Sequence, residues 1–345
     1  MTKSFGKKSV LLKVAALALL ILLVLAVQTA DADAASYEAI RVSDLKEAGT
    51  EDYKTKLKCG GLIWVGDDFN GADHHDVYYQ KEEGGDVYLI LDYFDIGGRE
   101  FGYSDVLITN GQKFYYAEIN HGDGFSEPYY CIRELDLGNG RRTLAEQTGR
   151  TYGYGYVDDL TISGYYNGNL YYSLSGCVNS GDAGRLYKVN VKSGKTTRVY
   201  KNFSAFPATG NGRYIYGCTT DTENRETDKF VIYDCKQGKK VRTIDKPVYY
   251  AEVMNGKLYF YEEFNYETGK ISVYQASLSG KDRKRILRAA DVGDLFNNRL
   301  YYGMEKEDRT LQYYRYNLKT GKKIKVDPQD YKMHLNVEIA EFGYK

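Results

Sequence analysis

Proline is nearly missing from this chain, with four among 345 residues, and no helical period of useful length follows the N-terminal segment. A proline cannot donate to a β-ladder, so its scarcity leaves room for many paired strands. Tryptophan occurs once, at Trp64, and histidine four times. Neither charge is in surplus, because 47 Lys and Arg meet 47 Asp and Glu. That balance excludes the basic footprint of a nucleic-acid binder. There is no C-x-x-C zinc pattern, no G-x-S-x-G, no H-E-x-x-H, no Walker A loop and no sialidase-type Asp box, so the common catalytic signatures are missing. Apolar runs are also scarce. The one long run, Val14 to Val27, falls short of the ~20 residues a spanning helix needs.

That run follows Lys3, Lys7, Lys8 and Lys13 and precedes "QTADADAAS" (28–36). A basic start, a short apolar stretch and a repeated A-x-A site predict a secretory signal peptide over 1–35, cut after Ala32, Ala34 or Ala35. The alternative is an uncleaved membrane tether. No cysteine follows the run, which argues against lipid attachment. The expected mature chain is secreted or held at the cell surface, is not inserted in a membrane, is monomeric, and has a formal charge of −2. Five cysteines (Cys59, Cys131, Cys177, Cys218, Cys235) would meet an oxidising compartment, which permits a disulfide and leaves one thiol over.

Internal repeats set the fold. Leu62-Ile63-Trp64, Phe114-Tyr115-Tyr116, Leu170-Tyr171-Tyr172, Tyr214-Ile215-Tyr216, Leu258-Tyr259-Phe260 and Leu300-Tyr301-Tyr302 recur at about the length of a four-stranded propeller blade. Each is followed at a near-constant offset by Gly85, Gly138, Gly194, Gly238, Gly280 or Gly321. Most are preceded by an Asn-Gly pair, the strongest short hairpin signal: Asn110-Gly111, Asn167-Gly168, Asn211-Gly212 and Asn255-Gly256, with Asn297-Asn298 as a degenerate copy. The 36 tyrosines fall largely on the repeat and are read as blade-to-blade packing.

The repeats also dispose of one catalytic reading. Lys319-Thr320-Gly321 and Ser43-Asp44-Leu45-Lys46 mimic the Lys-Thr-Gly and Ser-x-x-Lys elements of penicillin-binding serine enzymes. Thr320, however, fills the slot held by Ser193, Gln237 and Ser279 in other units. The triplet is therefore a hairpin turn, and no Ser-Asp-Asn accompanies it.

"NGNLYYSLSG" with "GRLYKVNVKSGKTTRV", and "NGKLYFYEEF" with "ISVYQASLSGKDRKRIL", resemble the six-bladed propellers of the TolB-like and low-density-lipoprotein-receptor YWTD-like type, in their secreted bacterial versions. The resemblance runs from about residue 59 to the end. It lacks a Tyr-Trp-Thr-Asp tetrapeptide, and the Trp-Ser-Pro-Asp-Gly element and N-terminal domain of TolB itself. It implies an all-β fold, a six-bladed β-propeller of four-stranded antiparallel blades, and leaves the partner open. The expected layout is a signal peptide (1–35), a lead-in (36–58) and the propeller (59–345). The ring is expected to close through the C-terminal strand, because "MHLNVEIAEF" (333–342) alternates apolar and polar residues. It would be the innermost strand of blade one, with "YKTKLK" (53–58) as the competitor.

Chemistry is expected in the loops between second and third strands, "GDDFNGADHHD" (66–76), "INHGDGFSEP" (119–128) and "GCVNSGDAG" (176–184). His74, His75, Asp76, His121 and Asp123 have the donor types that Zn²⁺ accepts. Asp67, Asp68, Asn70 and Asp73 would suit Ca²⁺ but lack EF-hand order. Asp67, Asp68, Asn70, Asn179 and Asp182 are equally ordinary loop residues on a ligand-facing surface. No motif demands a cofactor. Asp158, Asp159, Asp291 and Asp294, near innermost strands, read as solvated turn residues. Cys218 and Cys235, on adjacent strands of blade four, are a candidate cross-strand disulfide.

The leading expectation is a non-enzymatic, extracytoplasmic propeller that recognises a protein or cell-envelope glycan through its loop face. The alternative is a channel-centred enzyme acting on a sugar or lactone through a metal or carboxylates. A third reading is a structural module of a larger surface assembly.

Overall fold

The computed structural model describes residues 55–65, 77–91, 101–103, 106–120, 129–148, 159–175, 184–207, 212–219, 229–262, 264–296, 298–327 and 338–342. Among them are 26 strands and no helix. Blade one comprises β1 (Thr55–Lys56), β2 (Leu62–Val65), β3 (Val77–Gln80) and β4 (Val87–Leu91). Blade two comprises β5 (Phe101–Tyr103), β6 (Val106–Thr109), β7 (Lys113–Asn120), β8 (Tyr129–Asp136) and β9 (Gly140–Thr148). Its inner strand is in two pieces, since β5 and β6 both pair with β7.

Blade three has β10 (Asp159–Tyr166), β11 (Asn169–Ser175), β12 (Arg185–Asn190) and β13 (Thr196–Lys201). Blade four has β14 (Ser204–Ala205), β15 (Tyr214–Thr219), β16 (Lys229–Asp234) and β17 (Lys239–Ile244). In blade five the strands are β18 (Val248–Met254), β19 (Lys257–Glu262), β20 (Ile271–Ser277) and β21 (Lys284–Ala289). Blade six has β22 (Asp291–Phe296), β23 (Arg299–Glu305), β24 (Leu311–Asn317) and β25 (Lys323–Lys325). A last strand, β26, covers Glu338–Glu341. Five blades are four-stranded antiparallel sheets in sequence order, blade two has the same four-stranded core with β5 and a further strand added, and the chain is a six-bladed β-propeller.

The turns form for the reasons their residues give. Asn167 and Gly168 both have positive φ (47° and 74°), as do Asn255 and Gly256 (51° and 67°). Two such residues are what a tight hairpin turn matching strand twist requires. At the outer hairpin of blade six, the Asn317 side-chain oxygen accepts from the N–H groups of Lys319 and Thr320, both at 2.9 Å. Gly321 N–H then donates to the Asn317 carbonyl at 2.8 Å, so Lys319-Thr320-Gly321 is a turn. Asn190 makes the same pattern with Lys192 and Ser193 in blade three.

Aromatic side chains build the blades and join them. Directly paired residues of second and third strands stack in four blades, at Trp64 and Tyr78, Tyr172 and Tyr187, Phe260 and Tyr274, and Tyr302 and Tyr314. Each pair contributes about 0.5–1.5 kcal/mol beyond its buried area. Contacts across blade junctions follow, such as Tyr79 against Phe114 at 4.9 Å and Phe230 against Phe260 at 5.2 Å. The hydroxyls add specificity. Tyr79 donates to the carbonyls of Gly60 and Gly111, and Tyr216 of blade four donates to Leu278 of blade five at 3.0 Å. Burial, together with nearby Cys59, pushes the Tyr79 hydroxyl up to about 12, so it stays a donor.

The buried carboxylates among the described residues, Glu134, Asp136 and Asp234, are each met by a cation. Glu134 is fully buried between blades two and three, with Lys113 Nζ at 3.1 Å and Arg142 at 2.9 Å. Arg142 also donates to the Val191 carbonyl at 2.7 Å, tying the outer strand of blade two to blade three.

Two sequence expectations need correction. The inner strand of blade one is β1, which pairs Thr55 with Ile63 and Lys56 with Leu62, so the first sheet starts inside the expected lead-in. The C-terminal strand does not occupy that place. β26 instead runs parallel to β6, pairing Glu338 with Val106 and Glu341 with Thr109, on the inner edge of blade two. Phe342 stacks on Tyr165 of blade three at 4.0 Å, and the Glu341 carboxylate accepts from Cys59 N–H at 2.7 Å. Alternation identifies a strand but does not choose between two open inner edges. The second correction concerns blade four, where register sets Cys218 opposite Phe230 and Asp234 opposite Tyr214. Cys218 and Cys235 thus lie at opposite ends of one hairpin, roughly 15 Å apart at strand rise, and both are free thiols. A disulfide needs its Cα atoms within ~7 Å.

Candidate binding face

The register decides which loops share an edge. In blade five, Val248 at the start of the first strand pairs with Glu262 at the end of the second, and Ile271 at the start of the third with Ala289 at the end of the fourth. The second-to-third-strand loop therefore emerges beside the links between blades. In blades one to three the corresponding strand ends are marked by Val65 with Val77, Asn120 with Tyr129 and Leu174 with Arg185.

The predicted site residues His74, His75, Asp76, His121, Asp123, Asp67, Asp68, Asp73, Asn70, Asn179 and Asp182 lie outside the described residues. Asp158 does too. Asp291 sits on β22, opposite Gly303. Among the described residues, no three His, Cys, Asp or Glu side chains are grouped to hold a metal ion, and no helix is long and apolar enough to cross a membrane.

The described part of this edge belongs to blades five and six, and it shows what sequence reasoning missed. A bulge between Val248 and Tyr250 turns Tyr249 outward, leaving it 75% exposed. Nearby, residues 264–270 form a small hairpin tip closed by a bridge between Asn265 and Lys270. The Asn265 side chain accepts from Thr268 N–H at 2.8 Å, and Gly269, at φ 62°, donates to the Asn265 carbonyl. This tip holds Phe264 edge-on to Tyr266 at 5.2 Å, with Tyr266 92% exposed. Leu311 opens the third strand of blade six on the same edge.

Four of the five large hydrophobic side chains exposed among the described residues thus lie on one edge, with Ile324 the exception on β25. A concentration of that kind is not what scattered surface residues produce. The signal was available in the sequence, because Phe264 and Tyr266 fall outside the repeated Leu-Tyr-Tyr slot.

Polar groups accompany the rings. Glu262, at the root of the tip, is mostly buried, and Lys246 Nζ lies 3.7 Å from its Oε1. No hydrogen-bond donor reaches that oxygen among the described residues. Arg288 donates to the Thr268 hydroxyl at 3.3 Å. In blade six, the Thr310 hydroxyl and N–H both donate to Asp308 and hold its carboxyl below the usual range. The edge therefore offers flat apolar faces beside a carboxylate and cations. Such a set suits stacking on a ring with hydroxyl groups at its margin.

No protein-family model matches the sequence, and no curated protein matches it. Solved structures do. The β-propeller domain of the Trilobed protease from Pyrococcus furiosus is 12% identical over 68% of this chain and 73% of that one, with a TM-score of 0.45. An oligogalacturonate lyase in complex with manganese is 10% identical, covering 81% and 90%, with a TM-score of 0.46. A prolyl endopeptidase is 13% identical over 79% of this chain, with a TM-score of 0.42, and the match spans about half of that enzyme, 49%. Likenesses at this level transfer neither activity nor ligand.

Proposed function

We propose that this chain is an extracytoplasmic binding propeller that holds a protein or cell-envelope glycan on its loop face. The observation that carries the reading is the exposure of Tyr249, Phe264 and Tyr266 on that edge, whereas the other aromatic side chains among the described residues are buried or half-buried. Rigid aromatic rings give large contact area at low entropy cost, which is why they anchor interfaces. Glu262 Oε1 adds an acceptor for a ligand hydroxyl or amide. The TolB-like or YWTD-like character and the N-terminal signal belong to the same proposal.

The test is affinity capture from a cell-envelope extract, with bound proteins and glycans identified by mass spectrometry. The parent chain is run beside a Tyr249→Ala/Tyr266→Ala variant and a His74→Ala/His75→Ala/His121→Ala variant. A ligand held by the parent and lost by the tyrosine variant supports the reading. Identical captured sets from all three proteins would sink it.

A further inference from the structure

The charge balance of the whole chain conceals a strong asymmetry. The outer hairpins and outermost strands of blades three to six, residues 192–201, 236–246, 281–289 and 319–327, carry eighteen Lys and Arg against three Asp. Nearly all of these cations are exposed. Among the described residues, Lys246 alone of the eighteen has a carboxylate within ion-pair distance, the Glu262 contact at 3.7 Å. The matching hairpin of blade one has the opposite sign, with Glu82, Glu83 and Asp86. In blade two, Arg141 and Arg142 turn inward to the Ile90 carbonyl and to Glu134.

Charged residues on outermost strands also deter sheet-to-sheet association. That task is served by either sign, as blade one demonstrates. An unbroken arc of one sign on four consecutive blades needs a further reason, because its self-repulsion lowers stability unless an anion relieves it.

The arc contains clefts at two successive junctions. One, of about 530 Å³, lies between blades five and six and is lined by Arg285, Arg288 and Lys323 with Tyr302, Met304 and Tyr314, and by no carboxylate among the described residues. The other, of about 490 Å³, lies between blades four and five, where Arg242, Lys281 and Arg283 outnumber Asp245 and Asp282. Arg242 is partly engaged by the Ser279 carbonyl at 3.0 Å, and Asp245 by Lys229 at 3.1 Å.

We infer that this outer rim binds a linear acidic polysaccharide, whose carboxylates recur along the chain and enter the junction clefts in succession. The outermost strands of four blades fan around the ring, so a flat anionic bilayer would meet only one or two of them. A flexible polymer can follow all four. Single-stranded nucleic acid is bound by cations interleaved with exposed aromatic rings, and the only large exposed hydrophobic described on this rim is Ile324. The rim meets the loop face at Arg288 and Lys246, which lie beside the 264–270 tip and Glu262, but the rim proposal does not rest on the loop-face reading.

The test measures fluorescence anisotropy of labelled alginate oligomers with the full chain, with neutral dextran, phosphatidylserine vesicles and duplex DNA as comparators. The expected result is saturable alginate binding that weakens on the order of tenfold as salt is raised from low to near-physiological strength. Arg285→Glu/Arg288→Glu/Lys323→Glu should weaken it by a further factor of about ten, and the three Gln substitutions by less. Tyr249→Ala/Tyr266→Ala should leave it unchanged, which separates failure of this proposal from failure of the loop-face reading. Circular dichroism confirms that each variant is folded. Absence of alginate binding, equal binding by the charge-reversed variant, or equal or tighter binding of vesicles or DNA would overturn the inference.

Discussion

Asp136 provides a quantitative test of how the blade hairpins are held. Its Oδ1 accepts from Gln112 Nε2 at 3.0 Å and Gly138 N–H at 2.9 Å, and Lys113 Nζ lies 3.2 Å from Oδ2. Burial pushes the carboxyl upward, but these donors outweigh it and hold the group at about 2. An unfolded aspartate titrates near 3.9, so the folded chain favours the ionised form by roughly two pKa units, or about 2–3 kcal/mol. Because the folded value is the lower one, this stability is complete above the unfolded value and is lost as pH falls from about 4 through about 2. Asp136→Asn keeps the shape and removes the titration. The variant should therefore be less stable than the parent by about 2 kcal/mol at neutral pH, with the gap closing near pH 2. Urea unfolding midpoints at several pH values measure the gap directly. A difference that is the same at pH 2 as at pH 7 would refute the reasoning, because it would show that no proton is linked to folding here.

Two further outcomes follow from the backbone and the thiols. Gly217 pairs with Ala205 in blade four, and a Cβ there would meet the Ser204 carbonyl oxygen at 2.2 Å and Ala205 Cα at 2.7 Å. Gly217→Ala should destabilise the fold by about 2–3 kcal/mol in urea. An unchanged midpoint would show that the two strands can separate freely. Cys59 and Cys235 are both pushed up to about 12, chiefly by burial, so neither is a thiolate at neutral pH. Alkylation should be slow in the folded chain and fast once it is unfolded, and reductant should not alter the reactivity of Cys218 and Cys235. Protection of that pair until reduction would contradict the register.

How far these features were legible depended on whether they are local. Asn167-Gly168 and Lys319-Thr320-Gly321 each dictate a turn through their own backbone and a side chain three residues away or fewer, so they could be read directly. Pairings between distant segments could not. Residues 53–58 and 333–342 both carry strand patterns, and the choice between the edges of β2 and β6 rests on where Phe342 finds Tyr165 and Glu341 finds Cys59. The cysteine pairing failed for a related reason. Membership of one hairpin was visible, but the register that opposes Cys218 to Phe230 was not. Tyr266 was marked by falling outside the repeated Leu-Tyr-Tyr slot, whereas Tyr249 uses the same letter as the buried ring system and only a bulge sets it apart.

The seat of β26 also sets an order in time. Glu341 meets Cys59 across 282 positions, so the inner edge of blade two is completed only by a segment distant in sequence. Contacts of such separation form late and slowly. Until β26 docks, β6 presents an open inner edge, the kind of edge that recruits other strands. Docking of β26 is then the step that protects it. Chains ending at residue 337 should associate during refolding, whereas full-length chains stay apart, and light scattering would distinguish the two.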